Sequence, residues 1–233
     1  MGDRESLTRL RSIVVRGDHA ELVTVLRHEP WPDDSLQLIG DGLLAAVRDS
    51  ADGSADLARR CVTALRERQW RGDQELAEVL EAGLGVGPTP LLRPLPVDVE
   101  ELAMILEGDP VFGGGRIDLR TGEVWPRSAI EYAEETGELA EEDDEDTDRW
   151  LSVDCEGSHD SYQDMVWFIK DLDDELADEL ARAISGRGAF RRFKDLLSDR
   201  PELVTRWHAF SDDRHRGRAR SWLAGEGYTP TRI

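Results

Sequence analysis

Apolar residues recur every three or four positions along the first third of the chain, and this spacing places them on one face of a helix. Residues 4–83 divide in this way into five short helices, separated by tight polar turns such as Asp52-Gly53-Ser54. Short helices joined by tight turns are typical of solenoid arrays, although the sequence has no clear repeat period. We therefore predict a helical array over residues 1–88.

Proline changes the pattern near the middle of the chain. Residues 86–96 contain four prolines, each of which fixes φ and removes a backbone hydrogen-bond donor. This composition excludes a helix, and we predict a Pro-rich linker at residues 89–96. The linker would separate the helical array from a second domain at residues 97–228.

The second domain combines two periodicities. Residues 116–125 alternate around a Thr-Gly turn, which predicts a β-hairpin, and residues 149–153 predict a third short strand. Helical spacing resumes at Tyr162 and predicts separate final helices after Pro201 and around Trp222. The expected fold class is α+β and mainly α, with an N-terminal helical array followed by a domain with a small antiparallel sheet and a helical C-terminal half.

Charge narrows the classes of partner. The 233 residues include 29 Lys and Arg against 50 Asp and Glu, so the formal net charge is −21. This charge argues against nucleic-acid or anionic-membrane binding by the whole surface, and it favours cationic partners. Residues 134–148 contain ten acids and no cation, which predicts a disordered loop. Such a loop acts either as a solvated tether or as a mask that competes with anions for a basic surface.

Other features favour a cytoplasmic protein without a cofactor. The chain is charged from Asp3 onward without an apolar signal core, and it has no run of apolar residues long enough to span a membrane. Its two cysteines, Cys61 and Cys155, are far apart, which argues against a disulfide framework and against a structural zinc site. We expect no membrane association, no cofactor and no bound metal.

The stretch Gly186–Lys194 combines glycines, aromatics and cations. Ala189, Phe190 and Phe193 share one helical face, and the cations lie mostly off that face. A first helical turn favours acids because its free N–H groups point outward, so cations there indicate an anion nearby. The candidate residues for binding an anion or a partner are Arg187, Gly188, Arg191, Arg192, Lys194, Arg206 and Arg214, and Arg216, Arg218 and Arg220 extend the basic character. The alternative is that these cations pair with acids of the same domain, such as those at residues 173–179.

The same stretch carries a resemblance. Residues from about 98 to 228 resemble a family of uncharacterised bacterial proteins in the hairpin Ile117–Val124, in Trp150 before a short strand, and above all in the Gly-Arg-Gly-Ala-Phe-Arg-Arg-Phe-Lys sequence at 186–194. The helices of residues 1–85 lie outside the resemblance. It implies an α+β domain and no particular activity.

Three functions remain open on these observations. The favoured one is a non-catalytic cytosolic adaptor or regulator that binds a macromolecular partner, with a protein as the favoured partner, through the basic surface around residues 187–220. The second is nucleic-acid or nucleotide-phosphate binding by the same helices. The third is a metal-dependent hydrolase or nuclease that uses the polar loop at residues 154–164. Trp31 and Trp70, which polar residues flank, are candidate exposed anchors of an interface.

Overall fold

A computed structural model describes residues 3–32, 34–109, 111, 113–137, 148–157 and 159–231. Within these residues the chain forms eleven helices and five short strands. In chain order they are α1 (Asp3–Arg16), α2 (His19–His28), α3 (Leu36–Arg48), α4 (Ser54–Arg68), α5 (Asp73–Gly83), β1 (Arg93–Leu95), α6 (Val99–Leu106), β2 (Gly115–Asp118), β3 (Val124–Pro126), α7 (Arg127–Thr136), β4 (Trp150–Val153), α8 (His159–Lys170), α9 (Asp174–Ala183), α10 (Ala189–Ser198), α11 (Pro201–Gly225) and β5 (Tyr228–Pro230).

The predicted fold class is confirmed: the protein is α+β and mainly helical, with a small antiparallel sheet. That sheet has the strand order β3–β2–β4. In its register Ile117 of β2 lies opposite Val124 of β3 and Leu151 of β4. The hairpin turn depends on Gly122, which has a φ of +76°. A side chain at Gly122 would also collide with the backbone of Pro96, so glycine is required there both by conformation and by space.

A second, parallel pair of strands lies partly within the segment predicted as a linker. β1 pairs with β5 so that Arg93 lies opposite Tyr228 and Leu95 lies opposite Pro230. Each strand contains a proline, which a two-stranded sheet tolerates because both of its strands are edges. Residues 93–95 are therefore part of a sheet, joined by a segment more than a hundred residues away.

Two helical assignments differ from the sequence-based expectation. α7 continues to Thr136 and ends at Gly137, which has a φ of +72°, so residues 134–136 are helical although we expected a disordered loop. Residues 138–147 of that loop lie outside the described residues. The two expected C-terminal helices are one helix of 25 residues, α11. Its Gly217 does not break the helix, and the backbone of Gly217 lies so close to Gly72 that a side chain at Gly72 would collide with it.

Contacts between Cα atoms divide the chain into two compact units, one made of residues 1–64 and 159–214 and the other of residues 65–158 and 215–233. This division differs from the consecutive domains predicted at 1–88 and 97–228, because segments far apart in sequence pack together within each unit. In the first unit, for example, the backbone N–H of Gln37 donates to the carboxylate of Asp213 at 2.7 Å.

The core of the first unit contains an aromatic cluster contributed by α8, α10 and α11. The ring of Phe193 lies with its centroid 4.7 Å from that of Trp207 and 6.2 Å from that of Phe168, both in edge-on arrangements. Phe210 contacts the same group, at 5.7 Å from Phe168. Edge-on aromatic pairs contribute about 0.5–1.5 kcal/mol each beyond the area they bury.

The second unit has its own apolar core around α6 and the two sheets. The residues of this core are at most 8% exposed and include Leu95, Val97, Leu102, Ile105, Ile117, Val153, Leu223 and Tyr228. Residues of β1 and β5 are part of this core, which gives the short parallel pair a structural role despite its three-residue strands.

We predict that Phe193→Ala lowers the free energy of unfolding by about 3–5 kcal/mol, because it removes a fully buried ring from the aromatic cluster. Urea denaturation followed by circular dichroism measures this difference. The matched control is Phe190→Ala, whose ring is only half-buried, and its loss should be clearly smaller. Equal losses at the two positions would contradict the assignment of Phe193 to the core.

Candidate functional site

The predicted site begins at the loop between α9 and α10. Gly188 immediately precedes α10 and has a φ of +77°, a left-handed conformation that favours glycine. Within α10, Ala189, Phe193 and Leu197 are buried. Ala189 and Phe193 of the conspicuous sequence at residues 186–194 therefore serve the core of the first unit, and the cations are left as the candidates for binding.

Arg192 is committed to the backbone of the preceding loop. Its Nε donates to the carbonyl oxygen of Ala183 at 2.6 Å and its Nη2 to that of Ser185 at 2.8 Å. Its Nη1 donates to the carbonyl of Arg187. The last carbonyls of a helix have no partner within the helix, and a cation near them is favourable. Arg192 therefore caps the C-terminal end of α9 and fixes the loop before α10.

Arg206 and Arg214 are engaged with acids of the same unit. Arg206 forms an ion pair with Asp171. Arg214 is 7% exposed, and its Nε lies 2.9 Å from a carboxylate oxygen of Asp164. Its guanidinium also stacks over the ring of Trp167, at 4.1 Å from the centroid.

The arginines that follow on α11 are buried as well. Arg216, Arg218 and Arg220 are 9%, 3% and 2% exposed. Arg216 pairs with Glu100 and Arg218 with Glu107, both within the second unit. We expected these residues to extend a basic surface, but the structure places them in the interior. The prediction was wrong because a sequence pattern that assigns charged residues to the surface does not account for buried ion pairs.

Three of the predicted cations remain exposed: Arg187, Arg191 and Lys194. Arg191 and Lys194 are three residues apart and therefore neighbours on the surface of α10, whereas Arg187 lies in the loop before the helix. Arg191 is 88% exposed in its side chain, and its nearest acid is Asp195, with Nε and Oδ2 3.8 Å apart. The seven predicted residues thus do not form one exposed patch, and the basic surface reduces to these three.

The alternative of pairing within the chain applies to most of the other cations, with different acids from those expected. Arg206 and Arg214 use Asp171 and Asp164, which lie outside the segment 173–179. Within that segment, Glu179 pairs with Arg200 at 3.0 Å.

The polar side chains of residues 154–164 contact different parts of the structure. Asp164 is fully buried in its pair with Arg214. The thiol of Cys155 donates to the carbonyl of Ile105 at 3.1 Å. Glu156 pairs with Arg71 at 2.8 Å. Among the residues that the structure describes, no group of three or more His, Cys, Asp and Glu side chains has an arrangement that could hold a metal ion.

A cavity that the sequence did not predict lies in the first unit beside Trp31. It measures about 620 Å³ and is lined by residues of α1, of the α2–α3 connection and of α11, namely Ser6, Leu7, Glu29, Pro30, Trp31, Pro32, Asp34, Thr205, Arg206 and Ala209. Trp31 is half-buried, and its indole N–H donates to the carbonyl of Leu26 at 2.7 Å. The Pro-Trp-Pro sequence was the available signal, since an aromatic between two prolines sits on a rigid backbone.

Asp118, at the end of β2, is a buried carboxylate with charged and backbone partners. Burial alone would raise its pKa, but the backbone N–H of Arg120 and the guanidinium of Arg149 lower it, and the net pKa lies below the ordinary value. The two contacts are 2.8 Å and 2.9 Å long. Asp118 thereby ties the hairpin turn to β4, which shows that this carboxylate has a structural role.

These observations define an acidic, mainly helical α+β protein whose cations are largely committed to its own fold. Residues 93–231 match the uncharacterised protein family UPF0158. The chain belongs to this family, and the resemblance inferred from residues 98–228 is confirmed.

One relative supports the same assignment. The UPF0158 protein PA5073 of Pseudomonas aeruginosa is 30% identical over 140 residues, which cover 60% of this chain and 88% of that protein. No solved structure matches the chain. In the described part of the chain, none of the helices combines the length and the apolar character needed to cross a membrane.

We predict that Arg192→Gln lowers the free energy of unfolding by about 1–3 kcal/mol, because it leaves carbonyl groups at the end of α9 without their donor. The neighbouring substitution Arg191→Gln removes the same charge from an exposed position and should change stability by less than about 0.5 kcal/mol. Chemical denaturation of both variants provides the comparison. Similar losses would contradict a capping role for Arg192.

We predict that the contribution of Asp118 to stability depends on pH. Its pKa is lowered in the folded protein, so this stabilisation is fully present above the unfolded value of about 3.9 and is lost as the pH falls through the folded value. Asp118→Asn should therefore destabilise the protein most at neutral pH, and the difference from the wild type should shrink in acid. Urea denaturation between neutral pH and about pH 3 tests this; a difference that does not change with pH would be the opposite result.

Proposed function

We propose that the protein is a non-catalytic cytosolic adaptor or regulator that binds a cationic segment of a protein partner. The observation that supports this proposal is that several arginines of the protein are bound to acceptors within the fold. Arg192, Arg206 and Arg214 are bound to acceptors within their own unit, whereas the formal net charge of the chain is −21.

Internal pairing has a direct consequence for the charge that the protein presents. Each arginine paired in the interior neutralises one acid there, so the excess of acids remains with the rest of the chain. On α9 and just before it, for example, Asp173, Glu175 and Asp178 are exposed. An acidic surface attracts cationic partners and accelerates their association at low ionic strength.

A second function is supported by the three cations that remain exposed. Arg187, Arg191 and Lys194 lie next to the N-terminal end of α10, whose first turn contains no acid. Free N–H groups and cations at a helix start favour a phosphate group, so this surface is the candidate for nucleotide or nucleic-acid binding. This basic surface is small, and the chain around it is strongly acidic, so we rank this function second.

Titration calorimetry with three probes tests the two functions together. We expect a peptide of alternating Gly and Arg to bind with a defined stoichiometry and with an affinity that falls as salt is added, because charge attraction is screened. A Gly-Glu peptide of the same length is the matched control and should not bind. Failure of the Gly-Arg peptide to bind at low salt would overturn the proposal.

Single-stranded RNA is the third probe. If it binds, with an affinity that decreases steeply with salt and is lost in Arg187→Gln/Lys194→Gln, the second function replaces the first. Asp178→Asn serves as the control for a change of charge on the neighbouring helix, and it should leave RNA binding intact.

A further inference from the structure

The cavity beside Trp31 is of a size suited to a ligand group. At about 620 Å³ it lies within the range of roughly 300–1,000 Å³ that is typical of binding pockets in proteins. Its lining combines an apolar floor with a few charged groups, and this combination is also typical of such pockets. The residues that matter for its chemistry are Glu29, Trp31, Asp34 and Arg206.

The wall that contains Trp31 is rigid. Pro30 and Pro32 fix φ on both sides of the tryptophan. The indole N–H is bound to the carbonyl of Leu26 at 2.7 Å, and the hydroxyl of Ser35 donates to the carbonyl of Pro32 at 2.9 Å. A preformed wall lowers the entropy that a ligand loses on binding, because the protein has little left to order.

Trp31 already binds one guanidinium. The group of Arg60 lies over its ring at 4.1 Å from the centroid, although Arg60 is not among the residues that line the cavity. Arg60 therefore covers one face of a ring that is itself part of the cavity lining. Tryptophan is the strongest of the aromatic side chains in attracting a cation.

The charges around the cavity favour a cation as well. Glu29 and Asp34 bring two carboxylates to its lining, and Arg206 brings one guanidinium. Arg206 is paired with Asp171, so its repulsion of a cation is reduced. Glu29 shares its carboxylate with Arg9 at 2.9 Å and remains one-third exposed, which leaves it accessible to a second donor.

We propose that this cavity binds an arginine side chain from the cationic segment of the partner. The guanidinium packs against Trp31 and donates to the carboxylates of Glu29 and Asp34, while the flanking residues of the segment contact Pro30 and Pro32. This assignment rests on the proposed function and adds its contact site and its specificity.

Calorimetry with the Gly-Arg peptide on the full chain tests the proposal through three variants. Asp34→Asn and Trp31→Leu should each weaken binding by roughly tenfold. Each substitution removes one contact with the guanidinium, and the loss of one such contact is enough to change the affinity by about this factor. Glu67→Gln, which removes one exposed acid from α4, is the matched control and should stay within about twofold of the wild type. Thermal unfolding establishes whether each variant is folded. If Trp31→Leu does not fold, Asp34→Asn alone still tests the proposal.

The indole N–H resonance of Trp31, assigned by its absence in Trp31→Leu, reports on the cavity directly. It should shift on addition of the Gly-Arg peptide and stay unchanged with the Gly-Glu peptide. If the wild type binds the Gly-Arg peptide but Asp34→Asn binds equally well, or this resonance does not move, the cavity assignment is overturned while the proposed function stands. If the wild type does not bind the peptide at all, the proposed function fails and this assignment fails with it.

Discussion

The burial of arginines along α11 is the constraint on which most of the electrostatic organisation depends. Transfer of an unpaired charge out of water is so costly that a guanidinium enters the interior only with an acceptor. Arg214 has Asp164 in the first unit, and Arg216 and Arg218 have Glu100 and Glu107 in the second. Removal of one partner from such a pair typically costs about 3–5 kcal/mol. The acids at these positions are therefore required by the fold before any question of function arises.

Local patterns predicted the elements of the fold better than their assembly. The hairpin followed from alternation around a Thr-Gly turn, and the buried face of α10 followed from the spacing of Ala189, Phe193 and Leu197. The pairing of β1 with β5 could not be predicted from the residues alone, since its partners are far apart and each contains a proline. Two C-terminal helices were predicted where there is one, α11, which continues through Gly217 although glycine usually weakens a helix.

The candidate site shows the same limit in its chemistry. The sequence separated the apolar residues of 186–194 from the cations, but it could not decide which of these cations have partners within the fold and which stay exposed. Arg192, which donates to backbone carbonyls, and Arg191, which is 88% exposed in its side chain, are adjacent and identical in type. What separates them is the position of each on α10 relative to the end of α9, and that relation exists only after the helices have packed.

Stability and surface charge are consequently linked in this protein. The acids that pair with the buried Arg214, Arg216 and Arg218 are fixed by the fold, and so are the carbonyls that bind Arg192. A change of charge at these positions would alter folding before it altered recognition. Exposed acids such as Glu175 and Asp178 lie outside these buried pairs, so charge there can be adapted to a partner at little cost to stability. The Trp31 ring between Pro30 and Pro32 adds a rigid surface and a preference for a cation that packs on an aromatic ring. A diffuse acidic surface provides neither.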